Sequence, residues 1–220
     1  FLSPTNPGVR RWLARIVQEI IRRYPVDGVQ LDYIRQPGIA IGFDPTSRAR
    51  FALEQGVDPL MFSRRPRAER ARLESLWAAF QQDQVTAIVR EVRDSLTVTR
   101  PGLPLSAAVL ADTSVASSSN RQAWSRWVRD GLLDRAFLMC YAPALETVLS
   151  QLTAMSGQIG VDRLVPGIAM YNTSLSTAAT KIKAARALGF PTIALYSYAS
   201  LSARPGPRER RGALLPAHDT

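Results

Sequence analysis

Acids, tyrosines and an asparagine recur at one kind of place in this chain, immediately after a short apolar run. Asp32-Tyr33-Ile34-Arg35 follows Val29-Gln30-Leu31, Asp112 follows Leu105 to Leu110, and Tyr141 follows Phe137 to Cys140 with Glu146 beyond it. Tyr171-Asn172 and Tyr196-Ser197-Tyr198 end two more such runs. This set of side chains suits a sugar site, because pyranose faces stack on aromatic rings while hydroxyls require polar partners. Cleavage of a glycosidic bond generally needs two carboxyl groups, one ionised and one protonated, roughly 5 Å apart for retention or roughly 6.5 to 9.5 Å apart for inversion. Other hydrolytic chemistries lack their parts. The one histidine, His218, lies in the C-terminal tail and no cluster has metal-ligand spacing, so neither a zinc hydrolase nor a histidine triad is supported, no metal site is assigned and no cofactor is required.

Each residue also has an ordinary structural reading. Asp32 is either a catalytic carboxylate or a partner of Arg35 that orders the rim; a charge beside a core otherwise costs stability. Arg35 either holds Asp32 ionised, binds an acidic sugar substituent, or forms a plain rim ion pair. Asp112 is placed to be the second carboxylate or to cap a Ser-rich loop, and Glu146 lies further out where a helix begins. Asp27, before Gly28 at the start of its strand, reads as a turn residue. Tyr33, Tyr141, Tyr171, Tyr196 and Tyr198, with Asn172, are the candidates for sugar subsites. Trp124 and Trp127 lie three apart on a short helix and are read as core.

The elements between these positions alternate in type. Pro7 to Tyr24 has apolar residues at Val9, Leu13, Ile16, Val17, Ile20 and Ile21, the spacing of a helix burying one face, with Asn6-Pro7 as its start. Asp27 to Ile34 reads as a strand. A long excursion from Gly38 to about Arg72 precedes a helix over about Leu73 to Val98. Then come a strand at Leu105 to Leu110, a helix at Gln122 to Asp130, a strand at Arg135 to Tyr141 and a helix at Leu145 to Met155. A strand at Leu164 to Tyr171, a helix at Ser176 to Leu188 and a strand at Thr192 to Tyr198 complete the series. The last four strands start about 30 residues apart, the size of a βαβ unit.

The class that results is α/β, with parallel strands buried on both faces. No Gly-rich phosphate loop follows an early strand, which argues against an open dinucleotide-binding sheet. The alternative is a (β/α)8 TIM barrel, with only about the last five β/α units in this chain, since eight units typically need about 250 residues. In such a barrel the reactive groups sit at the C-terminal ends of the strands, where the acids and tyrosines fall. Residues 1–202 then form the C-terminal part of the barrel domain, and 203–220 an Arg/Pro-rich tail or linker.

The stretch Tyr24-Pro-Val-Asp-Gly-Val-Gln-Leu-Asp-Tyr-Ile-Arg-Gln-Pro37 resembles the signature strand of the glycosyl-hydrolase-like 10 family. Ser3-Pro4-Thr5-Asn6-Pro7, Gly42-Phe43-Asp44-Pro45, Phe137 to Tyr141, Val165-Pro-Gly-Ile168 and Ala194 to Tyr198 are similar to further family blocks, in the family's order. The resemblance covers about residues 1 to 202. It implies a (β/α)8 barrel with Asp32 as the catalytic acid, and a bacterial glycoside hydrolase acting on amino-sugar glycans such as peptidoglycan strands, usually outside the cytoplasm. A non-catalytic glycan-binding barrel is the alternative.

Composition agrees with a folded domain and weakens a charge-driven reading. The 46% apolar content of 220 residues supports a buried core. The net charge of +10 raises the possibility of an anionic-polymer binder, but the arginines are scattered along helices among acids, so no nucleic-acid partner is expected. No transmembrane segment is expected, and peripheral association with the envelope is compatible with the basic surface. Extracytoplasmic location is expected if the full precursor carries an export signal. The single cysteine, Cys140, reads as a buried structural thiol.

Overall fold

The computed structural model describes residues 2–38 and 41–202, so the tail and His218 lie outside the described residues. Helix α1 (Pro7–Arg23) starts where expected: Asn6 caps it by accepting from the Gly8 N–H, and Pro7 occupies the first turn. Strand β1 (Val29–Leu31) follows. The excursion after it is largely helical. It holds α2 (Pro45–Gln55), capped by Asp44, then a 3-10 segment (Pro59–Arg64) capped by Asp58. Helix α3 (Arg67–Thr99) starts earlier than the periodicity suggested. Phe51 makes edge contacts with Phe62, Trp77 and Phe80, and this aromatic cluster fastens α2 and the 3-10 segment onto α3.

Strand β2 (Leu105–Leu110) is followed by two short helices, α4 (Thr113–Asn120) and α5 (Trp124–Arg129). The first was not expected from its Ser-rich sequence. Trp124 and Trp127 are fully buried, so the core reading of both holds, and the Trp127 indole donates to Thr86 Oγ1 at 2.8 Å. After them come β3 (Arg135–Cys140), α6 (Leu145–Ile159), a 3-10 turn (Val161–Arg163), β4 (Leu164–Ala169), α7 (Leu175–Ala187), β5 (Ala194–Tyr196) and α8 (Tyr198–Ser202). In the sheet the strands keep chain order, β1-β2-β3-β4-β5. β3 pairs in parallel with β4, and β4 with β5. Every residue of β4 is buried, as in a strand covered on both faces.

The described residues fall into two compact units, one from residues up to 106 together with 113–134, the other from 107–112 together with 135 onward. In the first, α1 packs on α3 and Arg10 reaches Glu91 at 2.6 Å while donating to the Pro4 and Thr5 carbonyls. In the second, α6 and α7 pack on each other and on β4. Several arginines make ion pairs one turn apart on a helix, such as Arg23–Glu19, Arg50–Glu54 and Arg70–Glu74. That pattern is a solvated helical surface. No described helix is long and apolar enough to cross a membrane.

Candidate functional site

In the first unit the chain turns sharply as it leaves β1. Asp32 is exposed and its Oδ1 accepts from the Tyr33 N–H at 2.8 Å; the Arg35 N–H donates to the Tyr33 carbonyl at 2.8 Å. Tyr33 takes a left-handed φ of 57°, a costly conformation for a bulky residue that the surrounding bonds must hold. This turn lays the Arg35 guanidinium over the Tyr33 ring, 4.2 Å from its centroid. Asp32, Tyr33, Arg35 and Gln36 all line one cavity of about 410 Å³, whose walls come from α1 and α3. Thus three of the residues singled out by sequence share one cavity.

Asp44 lines the same cavity, and sequence reasoning treated it only as part of a family block. Its carboxylate accepts from the Ser47 N–H at 3.2 Å, from Ser47 Oγ at 2.6 Å and from Ser3 Oγ at 2.9 Å. Burial pushes its pKa up, but these bonds outweigh it and hold the group below the usual carboxylate range.

A buried polar clasp holds the loop that follows Asp32. The Gln36 and Gly38 N–H groups donate to the Asn120 and Ser119 carbonyls, and Gln122 Nε2 donates to the Ile34 carbonyl. Gln81 Nε2 donates to the Ile41 carbonyl at 2.8 Å while its Oε1 accepts from Arg121 Nε at 2.9 Å. Arg121 also donates to the Ser118 carbonyl, and burial pushes its pKa down. None of these holders was marked by sequence, because Gln81 within α3 and Arg121 and Gln122 between α4 and α5 are of types that read as surface.

In the second unit three tyrosines meet beyond the ends of β3, β4 and β5. Tyr141 and Tyr196 stack with centroids 5.1 Å apart and planes 16° apart, and Tyr171 stands edge-on to both at 6.2 Å. Register explains the meeting. Cys140 pairs with Ile168 and Ala169 with Tyr196, so one step further Tyr141 falls opposite the small Ala169, which leaves room for both rings. Gly167 is needed here, since a Cβ on it would lie 2.9 Å from the Leu138 carbonyl oxygen and 3.6 Å from the Tyr141 ring. Asn172 Nδ2 donates to the Tyr141 carbonyl at 2.8 Å. Lys181, fully buried on the alanine face of α7, donates to the next carbonyl, Ala142, at 2.7 Å. Burial lowers the Lys181 pKa, and it pushes the neighbouring Cys140 thiol up to about 12 against the pull of the lysine charge.

The remaining candidates are more peripheral. Tyr198 is exposed at the first residue of α8, and Tyr171 and Tyr196 are exposed as well. Asp112 is exposed between β2 and α4. Glu146 is exposed in the first turn of α6, where a negative charge favours the helix end. Among the described residues no group of three or more His, Cys, Asp or Glu could hold a metal ion.

A parallel β/α chain with acids and aromatic rings just beyond its strands has the layout of a glycoside-hydrolase-like domain. Comparison with known proteins names the family. The glycosyl hydrolase-like 10 family matches residues 1–183, and the chain belongs to it. It is 44% identical over 50 residues to the glycosyl hydrolase DigH of Escherichia coli strain K12, with the same figures for DigH of Shigella flexneri. Those matches span 21% of this chain and 11% of the relatives. The fold is similar to that of the PgaB (BpsB) glycoside hydrolase domain from Bordetella bronchiseptica, with a TM-score of 0.75 at 16% identity. That similarity covers 97% of this chain and 64% of the other.

Proposed function

We propose that the protein hydrolyses glycosidic bonds in a bacterial cell-envelope amino-sugar glycan, resembling peptidoglycan strands, by a two-carboxylate mechanism. The observation that carries this reading is the group of three mutually contacting tyrosines beyond successive strand ends, two of them exposed. Rings fixed in this way present faces to a pyranose at little entropic cost. Residues 1–202 are read as five units of an eight-unit barrel whose rim carries Asp32 as nucleophile or acid/base. Asp112 is the proposed second carboxylate and Glu146 the weaker alternative, while Tyr33, Arg35, Tyr141, Tyr171, Asn172, Tyr196 and Tyr198 form the sugar subsites. The protein is proposed to act outside the cytoplasm.

Asp32→Asn in the full-length protein tests the assignment: release of reducing ends from peptidoglycan-derived glycans should fall by at least a hundredfold, the scale of removing one positioned acid or base, with the circular-dichroism spectrum unchanged. Turnover at the wild-type rate would refute it. A second reading, a glycan-binding barrel without catalysis, is favoured by the local bond between Asp32 Oδ1 and the Tyr33 N–H, which gives Asp32 a turn role. Glycan binding by the wild type with no reducing ends released would establish that reading instead.

A further inference from the structure

We propose that Arg35 and Gln36 form a subsite for the carboxylate of an acidic sugar substituent carried on a short apolar arm. The proposal rests on the glycan reading above and names the chemistry of one substituent. Arg35 is a held cation with no counter-ion among the described residues. Its guanidinium is stacked on Tyr33, its Nη1 is buried without a hydrogen-bond partner, and no described carboxylate pairs with it. Gln36, next in the chain, is only 5% exposed, and its Nε2 is likewise buried and unpartnered. Two adjacent N–H donors on the lining of one cavity therefore lack an acceptor. Buried donors left unmade destabilise a protein, so an acceptor supplied by a ligand would be retained strongly.

The two acids in this cavity do not supply it. Asp44 spends its oxygens on Ser3 and Ser47, and Asp32 turns one oxygen to its own loop. A planar guanidinium matches a carboxylate, which takes two parallel hydrogen bonds. The walls decide how that carboxylate must be attached. Ile16, Val17, Leu31 and Ile34 line the same cavity, and sugar hydroxyls pressed against them would lose their partners. An acid on an alkyl ether arm meets both demands, with its carbon chain against the aliphatic side chains and its oxygens on Arg35 and Gln36.

Calorimetric titration of the full chain with N-acetylmuramic acid, its methyl ester and N-acetylglucosamine tests this directly, since the ester keeps the arm and removes the charge. The acid should bind about tenfold or more tighter than either neutral sugar, the scale of a charge-assisted hydrogen bond. That preference should vanish in Arg35→Gln, weaken in Arg35→Lys, which keeps the charge without the fork, and persist in Arg22→Gln on the exposed side of α1. Equal affinity for acid and ester in the wild type, or a preference that survives Arg35→Gln, would overturn the subsite. Acid preference in a protein that releases no reducing ends would remove the hydrolase reading and leave the subsite standing. Turnover with no acid preference would do the reverse.

Discussion

Gly42 is the position where the clasp beneath the Asp32 loop can be tested most sharply. It has a φ of +96°, and a Cβ placed on it would lie 1.9 Å from Gln36 Nε2 and 2.6 Å from Gln81 Nε2. Gly42→Ala therefore imposes two costs. The backbone conformation is strained for any L residue by about 1–3 kcal/mol. The methyl also displaces the Gln81 amide from the Ile41 carbonyl, and an acceptor stripped of its donor costs about 1–3 kcal/mol more. Together they predict a loss of about 2–6 kcal/mol, or a fall in Tm of about 4–24 °C for a chain of this size. Gly38→Ala is the matched control, because its φ is +80° and nothing lies within 4 Å of its Cβ position, so it bears only the backbone cost. All four tryptophans, Trp12, Trp77, Trp124 and Trp127, belong to the first unit, so tryptophan fluorescence during urea unfolding reports on this unit. If Gly42→Ala costs no more than Gly38→Ala, the amides do not pack on Gly42 and the clasp as described is wrong.

Two further outcomes follow from the ionisable groups. Asp44 has a lowered pKa, so it stabilises the fold above the usual carboxylate pKa and that contribution is lost as pH falls through the folded-state value; Asp44→Asn should flatten the acid limb of a stability-versus-pH curve, and an unchanged limb would count against its bonds to Ser3 and Ser47. Cys140, its thiol pushed up to about 12 and fully buried, should not react with Ellman's reagent at pH 8 until denaturant is added; fast labelling of the native protein would contradict its burial.

The strands were legible in the sequence as apolar runs, and β2 and β3 end within a residue of where the runs stop, whereas β1, β4 and β5 end two or three residues sooner, at Leu31, Ala169 and Tyr196, because the chain turns off the sheet before its apolar and aromatic residues run out. Helix α1 was equally plain, with its Asn-Pro start and regular stripe. Helix α2 was not, since it buries only Ser47 and Phe51 and so shows no periodic face; its place is set by ring contacts with α3. Helix α4 failed for a related reason: its TSVASSSN sequence is rich in residues that prefer caps and turns, and it buries only Ala116. Lys181 was hidden by its type. Lysine is almost never fully buried, yet here it follows Ala178 and precedes Ala185 on the inward face of α7, and that small-residue stripe is the signal that could have found it.

Asp44 lines the cavity of Asp32, which makes it the nearest candidate for the second carboxylate by surface shared. Its chemistry excludes it as the proton donor. A general acid must stay protonated near neutral pH, which requires a raised pKa, whereas Asp44 is held ionised by donors from Ser3 and Ser47. It is also the N-cap of α2, so rotating its oxygens toward a substrate would uncap that helix. A nucleophile must be free to form a bond at one oxygen, and Asp44 has both engaged. Asp32 commits only Oδ1, to its own loop, and remains exposed. Under the proposed mechanism, the second carboxyl group is therefore not Asp44, whose oxygens are spent on Ser3, Ser47 and the cap of α2.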